Sequence, residues 1–307
     1  MIGYAVRECK AGKVKNLSRM IESTNEDTMV TLPFDEIITT PDFFVQNGIK
    51  KKSRGVNNIY EAVESISHKK KIPILIRELP ILRQISLSNT NKRTEFENRW
   101  VRFAWNSFFY DDGLHPYDSG YDRWSELKKK YNIVVHDWKS RGDNILFCLQ
   151  LDGDSALNRL TYNNISYKEY CKDTIEKLKS ISDRNIIVRH HPRDSGVTKY
   201  LRTFFLEDKR VSFSVNNNIY DDLDLSHCVV TYNSTSSVEA VIYGIPTIVL
   251  DTSAITTPVA NSIENIESLK EFDRENWLKR IAFMQWQGKE LTDGYVWKLL
   301  KRTMNLS

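Results

Sequence analysis

The sequence predicts an α/β protein built as two layered domains, and three observations carry that prediction. The chain has 307 residues, about the length of two average domains. Short apolar runs bounded by polar turns recur along it, and longer stretches with helical spacing separate them. The second half is a particularly clear β-α-β series. In the first half the strand-like runs are Met1 to Val6, Thr28 to Leu32, Ile72 to Ile76 and Ile133 to Val135. In the second they are Ile145 to Leu151, Ile186 to Val188, Val211 to Val215, Cys228 to Tyr232 and Thr247 to Leu250, with helices expected over Tyr167 to Ile181 and Ser236 to Tyr243. The polar, glycine-containing stretch Lys139-Ser140-Arg141-Gly142-Asp143 separates two of these runs, which gives domains over 1–140 and 141–307. From Glu264 onward, Trp277, Ile281, Met284, Trp286, Trp297, Leu299 and Leu300 recur at helical spacings, so two terminal helices are expected in the second domain.

Composition narrows the function classes. No run approaches the roughly 20 apolar residues that span a bilayer, and the opening MIGYAVRECKAGK puts charge where a signal peptide needs its apolar stretch. A cytoplasmic protein is expected. Cys9, Cys148, Cys171 and Cys228 stand far apart with no C-x-x-C pair, which speaks for reduced thiols and against a zinc knuckle. The net charge is +4, and the whole excess lies in residues 1–140, where 23 Lys and Arg stand against 18 Asp and Glu. Clusters at Lys50-Lys51-Lys52, Lys69-Lys70-Lys71 and Lys92-Arg93 suit an anionic polymer, DNA or polysaccharide.

The strongest local signal runs from Cys228 to Asp251: a buried strand, the hydroxyl-rich turn Asn233-Ser-Thr-Ser-Ser237, a helix, then Gly244-Ile-Pro246 and another strand. Ser234, Thr235 and Ser236 would sit at a helix N-terminus, where free N–H groups and the helix dipole favour an anion such as a nucleotide phosphate. Glu239, one turn on, can accept two ribose hydroxyls. The plainer alternative is an ordinary N-cap with a well-placed acidic residue. A second signal, Asn185-Ile-Ile-Val-Arg-His-His-Pro-Arg193, is a strand ending in basic and imidazole donors. In an open α/β sheet such strand ends face the ligand crevice, so Arg189, His190, His191 and Arg193 can meet the same phosphate. No third metal ligand stands at the right spacing, and no metal site is expected.

These two motifs together resemble the C-terminal domain of bacterial capsule-polysaccharide glycosyltransferases, the Kdo-transferase and sialyltransferase relatives among them. The stretch Trp277 to Gly294 is similar to that group's tail. The resemblance implies a GT-B fold, two Rossmann-like domains facing a central cleft with C-terminal helices. The nucleotide sugar, a UDP-sugar or CMP-sugar, would lie on the C-terminal domain and the acceptor on the N-terminal one. By position His191 would match the histidine at the donor phosphate, Ser234 and Thr235 the hydroxyl turn, and Glu239 the ribose reader. Ser237 stands where relatives often have glycine and Arg189 where they often have lysine. Leu149-Gln-Leu-Asp-Gly-Asp-Ser155 resembles the turn after the first strand of such domains, which adds Gln150, Asp154 and Ser155, with Asn233, to the donor set. Asp152-x-Asp154 is superficially the metal-binding pair of the other main glycosyltransferase fold. Mg²⁺ is compatible with the site but no cofactor is required.

In the first half, Glu78 follows a strand and is the first candidate for the base that deprotonates an acceptor hydroxyl, unless it is merely salt-bridged to Arg77 or Arg83. Asp112 and Asp122 are the next candidates, with Asp111 and Asp118 behind them. The run Arg99 to Gly113 interleaves cations with rings, so Arg99, Arg102, Trp105 and Arg123 are acceptor-binding candidates, the alternative being an aromatic core with snorkelling arginines. Direct displacement at the anomeric carbon, with inversion, is the expected chemistry. Two acceptors fit: a 5-hydroxymethylpyrimidine in phage DNA, which the charge and aromatic segment favour, and a capsule or surface polysaccharide. A non-catalytic nucleotide-sugar-binding protein or a sugar-nucleotide epimerase is a further alternative.

Overall fold

The computed structural model describes residues 1–6, 17–33, 36, 40–48, 58–83, 85, 99–139, 142–194 and 196–306. Cys9, Lys50-Lys51-Lys52, Lys92-Arg93 and the pair Ser140-Arg141 lie outside the described residues. The chain forms two compact units. Unit 1 is Met1–Lys50, Val56–Ile133 and Glu275–Ser307, while unit 2 contains Val134–Arg274.

Unit 1 is built on a six-stranded sheet of β1 (Ile2–Val6), β2 (Thr28–Leu32), β3 (Phe43–Asn47), β4 (Ile74–Glu78), β5 (Trp100–Trp105) and β11 (Trp286–Gln287), in the order β11-β5-β4-β3-β1-β2. Strands β1 to β4 are parallel, and β5 runs antiparallel to both of its neighbours. One face packs α1 (Ser18–Ile21) and α10 (Tyr295–Met304) onto Ala5, Phe43, Val45, Phe103 and Trp105. The other packs α2 (Asn58–Lys70) onto Tyr4, Phe44, Ile74, Ile76 and Ala104. Strands buried on both faces lose the apolar-polar alternation. That is why β3 and β5 are not among the sequence-predicted strands, and why Trp100 to Trp105 reads as a string of rings and cations. The helix α3 (Arg123–Lys130) completes the unit before the chain leaves it.

The sequence places the terminal helices in the second domain, but α9 (Glu275–Ala282), β11 and α10 belong to unit 1. Their burial partners decide this. Phe283, Trp286, Leu291, Trp297 and Leu300 are integral to one core of unit 1. Trp297 Nε1 and Lys301 Nζ both donate to Asp27 Oδ2 at 2.8 Å, while Trp105 Nε1 donates to the Leu300 carbonyl at 2.8 Å. Burial pushes the Asp27 carboxyl up, but the hydrogen bonds from Lys301 and Trp297 outweigh it and hold it below its ordinary value of 3.8. A carboxyl depressed in the folded state adds stability above its unfolded pKa, and that stability is lost as pH falls through the folded value. Denaturant titrations from pH 7 to pH 2 should therefore show a shallower acid loss in Asp27→Asn than in the parent, together with lower stability at pH 7. Equal acid slopes would detach Asp27 from the transition.

Unit 2 has a five-stranded, all-parallel sheet of β6 (Asn144–Cys148), β7 (Ile186–Arg189), β8 (Val211–Phe213), β9 (Ser226–Thr231) and β10 (Thr247–Val249), in the order β10-β9-β6-β7-β8. Helices α4 (Asn158–Tyr162), α5 (Tyr167–Ile181) and α6 (Val197–Phe205) cover one face, and α7 (Ile219–Leu223) and α8 (Ser236–Tyr243) the other. This is the β-α-β series the sequence predicts, and α5 and α8 keep their expected bounds. Ile133 to Val135, expected as a strand, pairs with none. The chain instead runs past the end of α8, where the His136 N–H donates to Ile242 O at 3.0 Å and that of Lys139 to Gly244 O at 2.6 Å. Gly244 has φ 85°, and a Cβ there would stand 2.1 Å from Asp137 O, so the Gly-x-Pro motif requires its glycine for turn and close approach alike. Among the described residues no helix is long and apolar enough to cross a membrane.

Candidate functional site

In unit 2 the strand order reverses at β6: β7 and β8 lie to one side, β9 and β10 to the other. Loops leaving β6 and β9 must diverge at such a switch point, and a ligand crevice opens outside the carboxyl ends. The loop after β6 carries Leu149 to Ser155, that after β7 carries His190 and His191, and that after β9 leads through Asn233 and Ser234 into α8.

Two polar side chains floor this edge. Gln150 Nε2 donates to Asn233 Oδ1 at 2.8 Å, and the Asn233 N–H returns a bond to Gln150 Oε1 at 2.9 Å. Asn233 Nδ2 reaches Ala156 O and Ser253 Oγ, both at 2.8 Å. The amides of Gln150 and Asn233, expected to touch the donor, are thus engaged in holding three loops together. Gly153, at φ 73°, turns the first of those loops. Asp154 Oδ1 then caps the following turn by accepting the Ala156 N–H at 3.1 Å, with Ser155 Oγ beside it at 3.4 Å.

His191 is the best-prepared donor at this edge. Its Nδ1 accepts the Arg193 N–H at 3.1 Å. A ring that accepts at Nδ1 carries its proton on Nε2, so the neutral imidazole presents an N–H. Burial and the charge of Arg193 depress its pKa from 6.5, against the attraction of Asp154 and Asp194. His190 is exposed.

Arg189 stands differently from the sequence expectation. Its guanidinium forms a buried ion pair with Asp222 and also donates to Ser214 Oγ at 3.3 Å and to the carbonyls of Asn216 and Asn217 at 3.0 and 3.1 Å. It ties β7 to the loop after β8 and to α7 instead of pointing a free fork at an anion.

The start of α8 is also more self-contained than expected. The Ser236 N–H donates to Ser234 Oγ at 3.2 Å, that of Ser237 to Ser234 O at 3.1 Å, and those of Val238 and Glu239 to Thr235 O at 3.0 and 3.3 Å. What remains for an anion is the helix dipole and the exposed Thr235, whose side chain makes no capping bond. Ser236 Oγ is enclosed beside the Cys148 thiol and so faces inward. Ser237 is buried and links Ser234 O to Thr256 Oγ1 at 2.7 Å each. Glu239 and Arg189 lie within electrostatic range of Cys148, which puts the ends of β6, β7 and α8 at one locus. Cys148, Cys171 and Cys228 are buried free thiols, each pushed by burial up to about 12 and so unsuited to nucleophilic work. Among the described residues no group of three His, Cys, Asp or Glu side chains could hold a metal ion.

The unit 1 candidates fall in separate places. Glu78 ends β4, half-buried, with Oε1 accepting the Leu79 N–H at 2.9 Å. Asp112 is exposed in the turn after β5. Asp122 is the exposed N-cap of α3, where bonds from Ser125 lower its pKa. Trp105 is fully buried, edge-on to Phe43 at 5.7 Å, and offers no stacking surface. Arg123 is 1% exposed, binds Ala282 O and Gln285 O, forms two bonds to Glu290 at 2.7 and 3.0 Å and lies 3.7 Å over Trp286. It staples α3 to the returning C-terminal segment, so an acceptor role for Trp105 and Arg123 is replaced by a packing one. Arg99 is exposed, and Arg102 lies half-buried on β5.

Comparison with known proteins follows the same lines. Residues 118–257, which span all of the unit 2 sheet, match a family described as capsule polysaccharide biosynthesis protein. No curated protein matches the chain. Among solved structures, the chain is similar to the beta Kdo 2,4 transferase of Thermosulfurimonas dismutans KpsC, with 14% identity, a TM-score of 0.56 and coverage of 92% of this chain and 89% of that one. It is also similar to the beta Kdo 2,7 transferase of the same organism's KpsC, with 12% identity, a TM-score of 0.52 and the same coverage. The chain therefore has the GT-B fold, and over residues 118–257 it resembles the proteins of capsule polysaccharide biosynthesis.

Proposed function

We propose that the protein is a glycosyltransferase of capsule or surface polysaccharide synthesis, working in the cytoplasm with a nucleotide sugar held at the carboxyl edge of the unit 2 sheet. The observation that carries this reading is that the capsule-family match over residues 118–257 contains both the His191 loop and the hydroxyl turn into α8. A donor phosphate there would take the Nε2–H of His191 and the Thr235 hydroxyl, with the α8 dipole behind them and Glu239 reading the ribose. Glu78 is the proposed base. Direct displacement at the anomeric carbon would send the bonding electrons to the leaving phosphate oxygen and the acceptor proton to the carboxylate, inverting the centre.

The DNA-base acceptor suggested by charge loses its ground. The family match favours the polysaccharide alternative, and three rings of the ring-and-cation segment, Trp100, Phe103 and Trp105, are buried in β5 and cannot stack on bases. The test is to incubate the protein with UDP-, GDP- and CMP-sugars and, separately, capsule oligosaccharides and 5-hydroxymethylcytosine DNA, then weigh the products. A sugar-sized gain on an oligosaccharide is expected. Gain on a DNA nucleoside would reinstate the DNA reading, and no product with any pair would sink the transferase.

A further inference from the structure

On the α2-covered face of the unit 1 sheet, two side chains enclose polar atoms that make no hydrogen bond. Gln46 of β3 is 1% exposed, yet neither its Nε2 nor its Oε1 makes a hydrogen bond. Arg102 of β5 keeps part of its surface exposed, while its Nε and Nη1 are enclosed and unpartnered and its guanidinium sits 4.4 Å over the Phe108 ring. Sheet register makes them neighbours around β4. Gln46 aligns with Ile76, and in the next rank on that face Glu78 stands opposite Arg102. Beside Glu78, the chain leaving β3 reaches Gly48 (φ 76°), whose N–H donates to Arg77 O at 2.8 Å. A Cβ at Gly48 would come within 3.3 Å of Glu78 Oε2, so the glycine lets that carboxylate lie close against the backbone at the carboxyl ends of β3 and β4. Glu78 lies within Coulombic range of Arg102, but no ion pair joins the two.

Leaving a buried polar group unpaired costs about 1–3 kcal/mol, more for a charged one. Two side chains with unused hydrogen-bonding atoms, Gln46 and Arg102, flanking the strand that ends in the Glu78 carboxylate, are an arrangement that a ligand would complete. Their chemistry specifies that ligand. A guanidinium with enclosed, unused N–H groups calls for an oxyanion. An amide with donor and acceptor both idle, beside a carboxylate, suits hydroxyls. His115 is held neutral, since burial and the Arg102 charge lower its pKa to about 4, so it brings no second cation to the site.

We propose that Arg102 and Gln46 form an oxyanion site in unit 1 that takes the carboxylate or phosphate of an anionic sugar, with Glu78 receiving one of its hydroxyls. Naming that sugar as the acceptor rests on the transferase reading; the binding site does not. The test is calorimetric titration of the full chain with D-glucuronate and with D-glucose, no nucleotide sugar present. Glucuronate should bind at least tenfold more tightly than glucose, and Gln46→Leu and Arg102→Met should each lose tenfold or more, whereas His191→Ala should bind as the parent does. Without ligand, Gln46→Leu should melt at or above the parent temperature, because two orphan polar atoms are gone. Equal binding of the two sugars, undiminished binding in both variants, or a marked fall in the Gln46→Leu melting temperature would each overturn the site. Competition by inorganic phosphate would identify a general oxyanion site, and its failure beside bound glucuronate a carboxylate site. If glucuronate binds and no sugar is ever transferred, the transferase reading falls and the site stands.

Discussion

Replacing His191 by alanine is expected to lower kcat by about 10²–10³, the usual loss when one preorganised donor to a developing negative charge is removed. Donor binding should change less. Charge grows on the leaving phosphate as the glycosidic bond breaks, so a hydrogen bond to it is worth most in the transition state. His191→Gln should recover part of the loss, because its amide can place an N–H near the Nε2 position. The pH profile adds a second check. Arg193 supplies an N–H to Nδ1 at 3.1 Å, and protonation of that nitrogen would break the bond. With the pKa depressed below 6.5, the neutral Nε2–H form persists on the acid side of the ordinary histidine midpoint. Turnover should therefore stay flat through pH 6.5 as far as this group controls it. Full activity in His191→Ala on the best donor-acceptor pair, with folding intact, would remove the proposed phosphate contact.

What the sequence could and could not reveal follows from the range of the interactions involved. The strands and helices of unit 2 are encoded locally, by apolar runs and the turns between them, and they emerge at close to their expected bounds. The loop residues Gln150, His191 and Ser234 and the first-turn residue Glu239 of α8 lie at the expected strand and helix ends for the same reason. Partners distant in sequence are another matter. Arg189 reads as a phosphate donor because Asp222, its ion-pair partner, stands beyond another helix and strand. Arg123 and Trp105 read as acceptor residues because Glu290 and Leu300 return from the far end of the chain. That return also moves the terminal helices from the expected second domain to unit 1. Gln46 gave no signal at all: one glutamine in Phe-Phe-Val-Gln-Asn is unremarkable until its burial and its empty hydrogen-bonding capacity are known.

Asp222→Ala is expected to cost about 3–5 kcal/mol of unit 2 stability, the range for removing one partner of a buried ion pair. The Asp222 side chain is 2% exposed. Besides Arg189, it accepts from Ser214 Oγ and from Asn216 Nδ2, each at 2.7 Å, so alanine would take the shared acceptor from three donors at once. Replacing both charges by apolar groups of similar volume, Arg189→Met with Asp222→Leu, should recover much of that loss, since neither buried charge is then left alone. The cycle of single and double variants, followed by urea unfolding, measures the coupling. The double variant also separates the two roles open to Arg189. As a clamp on the loop after β8, Arg189 can be exchanged together with Asp222 while nucleotide-sugar affinity stays near the parent value. As a phosphate ligand it cannot, and a folded double variant with tenfold weaker donor binding would return Arg189 to the donor site. The ion pair and the two carbonyl bonds occupy the Arg189 guanidinium, so retained affinity is the expected result.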